Sequence, residues 1–235
     1  MNHSSLLTPH SSPIPVIAID GPSASGKGTV AALVARELGF HYLDSGAIYR
    51  VTALAAQHAG IALDDETALA ELAGKLNVRF DNGEIWLNGE KVGEAVRTEE
   101  SGNAASKIAS LPRLREALLA FQRSFRKAPG LVADGRDMGS VVFPDATLKI
   151  FLTASAGVRA ERRYKQLMEK GMRANLARIL QDIQQRDARD SARSVAPLQK
   201  CADASLLDTD ALTIAAAVNE VLRRYQANRP PGVWN

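Results

Sequence analysis

Val16-Ile17-Ala18-Ile19-Asp20-Gly21-Pro22-Ser23-Ala24-Ser25-Gly26-Lys27-Gly28-Thr29 is the stretch that decides the fold of this 235-residue chain. Its first residues are apolar and favour a strand, a turn bounded by Gly21 and Gly26 follows, and the Ala/Leu/Val spacing from Thr29 to Leu38 is helical. Strand, loop and helix in that order make a phosphate-binding loop. With few Cβ atoms between the glycines, the backbone can curl until successive N–H groups point at one anion. The helix starting near Lys27 adds the positive end of its dipole, and the Lys27 ammonium reaches the outer phosphates. Gly21, Pro22, Ser23, Ala24, Ser25, Gly26, Lys27, Gly28 and Thr29 are therefore read as the cradle of a nucleoside triphosphate. The generic pattern puts Ser or Thr directly after the lysine to ligate Mg²⁺, whereas here Gly28 intervenes and Thr29 comes one place later. A metal at such a site is expected to be held mainly through water and phosphate oxygens.

Working outward, Phe40-His41-Tyr42-Leu43 reads as a short strand that ends in Asp44-Ser45-Gly46, the start of a helix from Gly46 to Ala59. Ser45 is expected to cap that helix or to meet a substrate as well, and Arg50, one turn in, to face an anion. Helical spacing returns from Asp64 to Leu76. The stretch 78–92 then alternates apolar and polar residues around Asn82-Gly83 and Asn88-Gly89, which predicts an inserted antiparallel sheet. Thr98 and Pro112 open two further helices, the second running to about Lys127.

Leu131-Val132-Ala133-Asp134-Gly135-Arg136-Asp137 is the second rich segment. A strand ending in aspartate beside a phosphate loop is the usual place for a Mg²⁺-directed carboxylate, so Asp134 is the metal candidate, acting through a bound water. Arg136 offers a guanidinium to phosphate, and Asp137 a carboxylate to an exocyclic amine. Two more strands are expected near 147–152 and 204–209, separated by helices that carry Arg159, Arg162 and Arg163 and then Arg186, Asp190 and Arg193. The last three share a helix face only if the helix continues that far. Alternation of these segments predicts an α/β fold, a parallel five-stranded sheet with helices on both faces plus the small antiparallel insert, in a single domain over 16–228. A core is expected over about 16–43, 107–158 and 195–228, an acceptor-side insert over 44–106 and an Arg-rich lid over 159–194. The leader 1–15 is expected to be disordered and the tail 229–235 frayed.

Residues 159–200 hold eleven Lys and Arg against five Asp and Glu, a local +6 in a chain whose net charge is +3. Something anionic is expected there. The arginines lack interleaved aromatics, which argues against nucleic acid. No apolar run approaches membrane-spanning length, no signal peptide is recognisable, and the single cysteine, Cys201, excludes an internal disulfide and a thiolate zinc site. A cytoplasmic monomer acting on small molecules is expected.

Gly-Lys-Gly-Thr is the spelling found in nucleoside monophosphate kinases. Together, Asp-Gly-Pro-Ser-x-Ser-Gly-Lys-Gly-Thr at 20–29, Leu-Asp-Ser-Gly-Ala-Ile-Tyr-Arg at 43–50, Asn-Ala-Ala-Ser at 103–106, Asp-Gly-Arg-Asp-Met-Gly at 134–139, Val-Phe-Pro-Asp-Ala at 142–146 and Arg-Asp-x-Arg-Asp at 186–190 resemble the bacterial cytidylate kinases. That resemblance implies ATP-dependent phosphorylation of CMP and dCMP with Mg²⁺. It further implies that Lys27 steadies the transferring group, that Ser45, Arg50 and Arg136 meet the acceptor nucleotide, and that Ser106, Arg115 and Asp137 read the cytosine edge. Arg186 and Asp190 would hold the ribose, Arg193 would face the phosphates, and Arg159, Arg162 and Arg163 would belong to the lid. Another small-substrate kinase with the same donor loop is the alternative, and a nucleic-acid-associated NTPase a more distant one.

Overall fold

In the computed structural model, which describes residues 14–81 and 83–228, β1 (Val16–Asp20) is buried at every position. Its side chains alternate between two cores: Val16 and Ala18 join one apolar cluster, Ile17 and Ile19 the other. A strand that is apolar on both faces belongs in a parallel sheet covered from two sides. That sheet also contains β2 (His41–Asp44), β6 (Leu131–Gly135), β7 (Leu148–Thr153) and β8 (Ser205–Asp208), in the order β2-β6-β1-β7-β8 with every pairing parallel. The register sets Ile19 beside Asp134, and Asp134 beside Asp44. Three polar strand ends therefore meet at one edge, the place where open α/β sheets bind ligands.

One face is covered by α1 (Lys27–Leu38) and α8 (Ile214–Asn228), the other by α2 (Ser45–His58), α4 (Glu99–Ile108) and α5 (Pro112–Arg123). α1 stops at Gly39, whose φ of +65° lets its own N–H and that of Phe40 turn back to the carbonyls of Arg36 and Ala35. α3 (Glu66–Ala73) packs on α5, and α6 (Ala156–Glu169) on α7 (Leu176–Ser191). α5 begins at Pro112 as expected but ends at Arg123, short of Lys127.

The insert is the three-stranded antiparallel sheet β3 (Val78–Asp81), β4 (Glu84–Leu87) and β5 (Glu90–Lys91). Its second turn has positive φ at both Asn88 and Gly89, +51° and +89°, the twist that two-residue hairpins demand. Ile85, Leu87 and Val92 pack on Ala47, Val51 and Ala55, so α2 is buried on two faces, against the main sheet and against the insert. Of the expected leader, Ile14 and Pro15 are described: their carbonyls accept from Arg126 and Leu131. The rest of the leader and the tail 229–235 lie outside the described residues. Among the described residues no helix is long and apolar enough to cross a membrane.

Candidate active site

The loop Gly21–Thr29, read from the sequence as a phosphate cradle, has no room for a side chain at its first glycine. A Cβ on Gly21 would lie 2.0 Å from the Leu152 carbonyl oxygen of β7. Ala24 and Gly26 turn the chain through left-handed φ values of +56° and +88°, and α1 follows at once with its first N–H groups facing the loop's concavity. Lys27 Nζ donates to the Pro22 carbonyl at 3.3 Å, folded over the loop. Ser23 Oγ lies 3.5 Å from Asp187, and the buried Ser25 hydroxyl has no partner among the described residues.

Two of the arginines expected to belong to a lid are tied to this loop. Arg159 is buried, donates to the Ala154 and Ser23 carbonyls at 2.8 and 3.1 Å, and pairs with Asp187 at 2.6 Å. Arg162 donates to the Ser25 carbonyl at 3.3 Å and to the Thr209 hydroxyl at 3.1 Å. Arg163 instead faces the cleft, paired with Glu99 and bonded to Gln166.

Asp134 stands at the end of β6 and is buried. The Tyr42 hydroxyl donates to its Oδ2 at 2.8 Å. Burial pushes the Asp134 carboxyl up to about 7, with Asp44 adding to the effect and Lys27 opposing it. Burial likewise pushes the Lys27 ammonium down to about 7, and Arg136 contributes in the same sense. Two cations close together in a buried site disfavour each other's charge, and Asp134 and Asp44 oppose that on Lys27. Asp44, not Ser45, caps α2: its Oδ1 accepts from Ala47 N at 2.9 Å, while Ser45, the first residue of the helix, donates to Gln122 Oε1 at 3.0 Å. Asp44 wins because it already stands one residue before the first turn, in the extended backbone a cap requires.

Next to Arg136, Asp190 is 1% exposed and accepts from Ser106 Oγ at 3.0 Å, Arg136 Nε at 2.8 Å and the Arg193 guanidinium. Burial pushes its carboxyl up, yet Arg136 and Arg193 outweigh that and hold it below the usual carboxylate range. α7 ends at Ser191, so Arg193 lies beyond the helix and reaches Asp190 from three residues on. Arg115 and Asp137 form a buried ion pair, with Arg115 also donating to the Ala109 carbonyl and lying 5.8 Å from the Tyr49 ring centre. Asp20 accepts from Met138 and Gly139 N–H at 2.8 Å each, tying the helical turn that follows Asp137 to the end of β1; burial pushes its carboxyl up to about 6.

A single cleft of about 1140 Å³ runs from Ser23, Ala24, Lys27, Gly28 and Thr29 past Asp44 and Asp134 to Arg50, Arg136, Arg163 and Arg186, and on to Val78, Phe80 and Ile85 of the insert. Arg186 is lowered to about 10 by burial and by Arg136. Arg50 is turned to the Val96 and Thr98 carbonyls. Ser45, Ser106, Arg115, Asp137, Asp190 and Arg193 are not part of this lining; they form the bonded networks around it. Sequence reasoning missed Tyr42, Gln122, Asp187 and Glu99. Tyr42 reads as an apolar strand residue, and the others as solvated helix positions.

Comparison with known proteins bears on the same stretch. The sequence profile of the family "Cytidylate kinase" matches residues 17–227. The chain is 62% identical over 219 residues to a cytidylate kinase of Chromobacterium violaceum, covering 93% of this chain and 99% of the relative. It is 57% identical over 216 residues to one of Nitrosomonas europaea, with 92% and 97% covered. A third, of Paraburkholderia phymatum, is 59% identical over 216 residues, with 92% and 95% covered. A profile match spanning both strand ends and both arginine helices, together with identities this high over nearly whole chains, places the chain in the cytidylate kinase family.

Proposed function

We propose that this chain transfers the terminal phosphoryl group of ATP to CMP and dCMP, giving ADP and the pyrimidine nucleoside diphosphate, as a cytoplasmic monomer. The observation that carries the reading is the one cleft in which Lys27 and the donor loop face Arg50, Arg136 and Arg186 across Asp134. Phosphoryl transfer asks little covalent help of a protein; it needs two substrates in line, neutralised charge and exclusion of water. The loop N–H groups hold the donor phosphates, and Lys27 regains its full positive charge beside them. Arg50 and Arg136 take the acceptor phosphate, and Ser45 belongs to the same acceptor end. The cytosine amine is assigned to Asp137 and Ser106 and its acceptor edge to Arg115, three buried residues behind the cleft lining whose donors and acceptors match the pattern of that base. Arg186 and Asp190 hold the ribose, and Arg193 completes the phosphate contacts.

Among the described residues no group of three or more His, Cys, Asp or Glu is gathered for a metal. Mg²⁺ on a nucleotide needs no such cage, because one or two carboxylates with phosphate oxygens and waters suffice. The buried Asp134, with Asp44 nearby raising its pKa, fits that donor set. Bound there, the ion supplies charge neutralisation of the donor phosphates. The arginine helices over 159–194 act as the lid, the 44–106 insert as the acceptor clamp and the remaining segments as the core.

A coupled assay of ADP release with ATP and Mg²⁺ over CMP, dCMP, UMP, AMP and GMP tests the assignment. CMP and dCMP are expected to lead. An AMP-first ranking overturns the base-pocket reading, and turnover of shikimate or gluconate with none of CMP establishes the other small-substrate kinase.

A further inference from the structure

The hydroxyl that phosphate loops usually carry directly after the lysine is missing here, and the structure shows what occupies the space it leaves. A Cβ built on Gly28 would meet Asp134 Oδ2 at 3.1 Å and the Tyr42 hydroxyl oxygen at 3.5 Å. A side chain at position 28 thus points at the same carboxylate oxygen that Tyr42 already bonds at 2.8 Å. Tyr42 Oη also lies 3.5 Å from the Gly28 carbonyl. The phenol comes from β2, the neighbour of the strand that carries Asp134, and its ring is packed against the apolar cluster beneath α1. A tyrosine held by its ring has two side-chain torsions and little freedom left, so the hydroxyl is delivered to a fixed point. Facing an ionised carboxylate, the phenol can only donate, which turns that Asp134 oxygen into a bonded one and leaves the other free.

We propose that Tyr42 is a positioning residue for the phosphoryl-transfer site: from β2 it supplies the hydroxyl that the glycine at position 28 has given up, and it fixes the Asp134 carboxylate toward the metal–triphosphate. Gly28 and Tyr42 form one device: a Cβ at position 28 would crowd, at 3.1 Å, the Asp134 oxygen that the phenol bonds, so the hydroxyl is supplied from β2 instead. This inference rests on the ATP and Mg²⁺ reading of the cleft and assigns a residue within it. Tyr42 lines the cleft beside Gly28 and Asp134, and the role assigned to it is exercised through Asp134.

The test compares wild type, Tyr42→Phe and the double variant Tyr42→Phe/Gly28→Ser. Three quantities are read: Mn²⁺ binding to the enzyme with a non-hydrolysable ATP analogue, followed by electron paramagnetic resonance; kcat and KM for CMP; and the melting temperature. Loss of one hydrogen bond to a charged group predicts about tenfold weaker Mn²⁺ binding and about tenfold lower kcat in Tyr42→Phe, with KM for CMP unchanged. In the double variant the serine hydroxyl enters the space the phenol vacates and restores both toward wild type. Mn²⁺ binding and turnover at the wild-type level in Tyr42→Phe overturn the proposal. So does a loss the serine fails to relieve, including one in which kcat, KM and melting temperature fall together. Failure of the underlying function looks different, because wild type itself then leaves CMP unphosphorylated.

Discussion

Around Gly21–Thr29 the groups that hold the site together belong to the backbone, whereas around Asp190 they belong to side chains. The donor loop gets its shape from a glycine with no space for a methyl group beside the Leu152 carbonyl, from left-handed turns at Ala24 and Gly26, and from carbonyls gripped by Arg159 and Arg162. The acceptor wall gets its shape from a buried carboxylate shared by Ser106, Arg136 and Arg193, and from the Arg115–Asp137 pair next to it. The difference matches the roles proposed for the two sides. Phosphate oxygens are alike in every triphosphate, so N–H groups in a fixed curl suffice. A particular base has to be distinguished by donors and acceptors that only side chains offer. The two sides should therefore fail differently when altered.

Lys27→Ala should produce the largest effect, about a thousandfold loss in kcat or roughly 4 kcal/mol of transition-state stabilisation. Its melting temperature should hardly move, since the ammonium's hydrogen bond within the protein, to the Pro22 carbonyl, is a long 3.3 Å. Wild-type turnover by this variant would break the donor-side reading. Asp190→Asn keeps the shape of the side chain and removes its charge, stranding the guanidinium groups of Arg136 and Arg193. An equilibrium urea titration should show a loss of about 3 kcal/mol. A change below about 0.5 kcal/mol would mean that the acceptor wall does not depend on this carboxylate.

A subtler effect concerns protons. With Lys27 pushed down to about 7 by burial, much of it is neutral at pH 8 in the free protein. Phosphate oxygens favour the charged form, so metal-free ATP raises its pKa and the complex takes up a proton. Asp134, already raised to about 7, shifts in the same sense beside the phosphates. Calorimetry at pH 8 in buffers of different ionisation enthalpy should report uptake of up to about one proton per site, shrinking as the pH falls through 6. Binding enthalpies independent of the buffer would contradict it. Smallest of all, Ser25→Ala should change the stability of the free protein by under about 0.5 kcal/mol, because its buried hydroxyl has no partner among the described residues to lose.

Much of this architecture is written locally in the chain. The continuous apolar run Val16–Ile19 and the Asn88-Gly89 turn are local signals, and the strand and the hairpin appear where they put them. The cap of α2 is not legible in the sequence, because Asp44 and Ser45 are both good caps and only the backbone conformation at Asp44 separates them. Contacts made at a distance left no local signal. Arg159 meets the Ser23 carbonyl 136 residues away, and Tyr42 meets Asp134 across 92. A phenol in a short apolar strand looks like core packing until the neighbouring strand is known.

The central claim is that the triphosphate and the pyrimidine nucleotide meet within one cleft. A bisubstrate compound, adenosine and cytidine joined through their 5′ positions by five phosphates, probes it most directly in an inhibition assay against each substrate. The account predicts competition with both ATP and CMP, and affinity well above that for either nucleotide alone, because one molecule engages both halves at once. Competition with ATP only, at an affinity no better than that of ATP, would show that the two halves do not face each other.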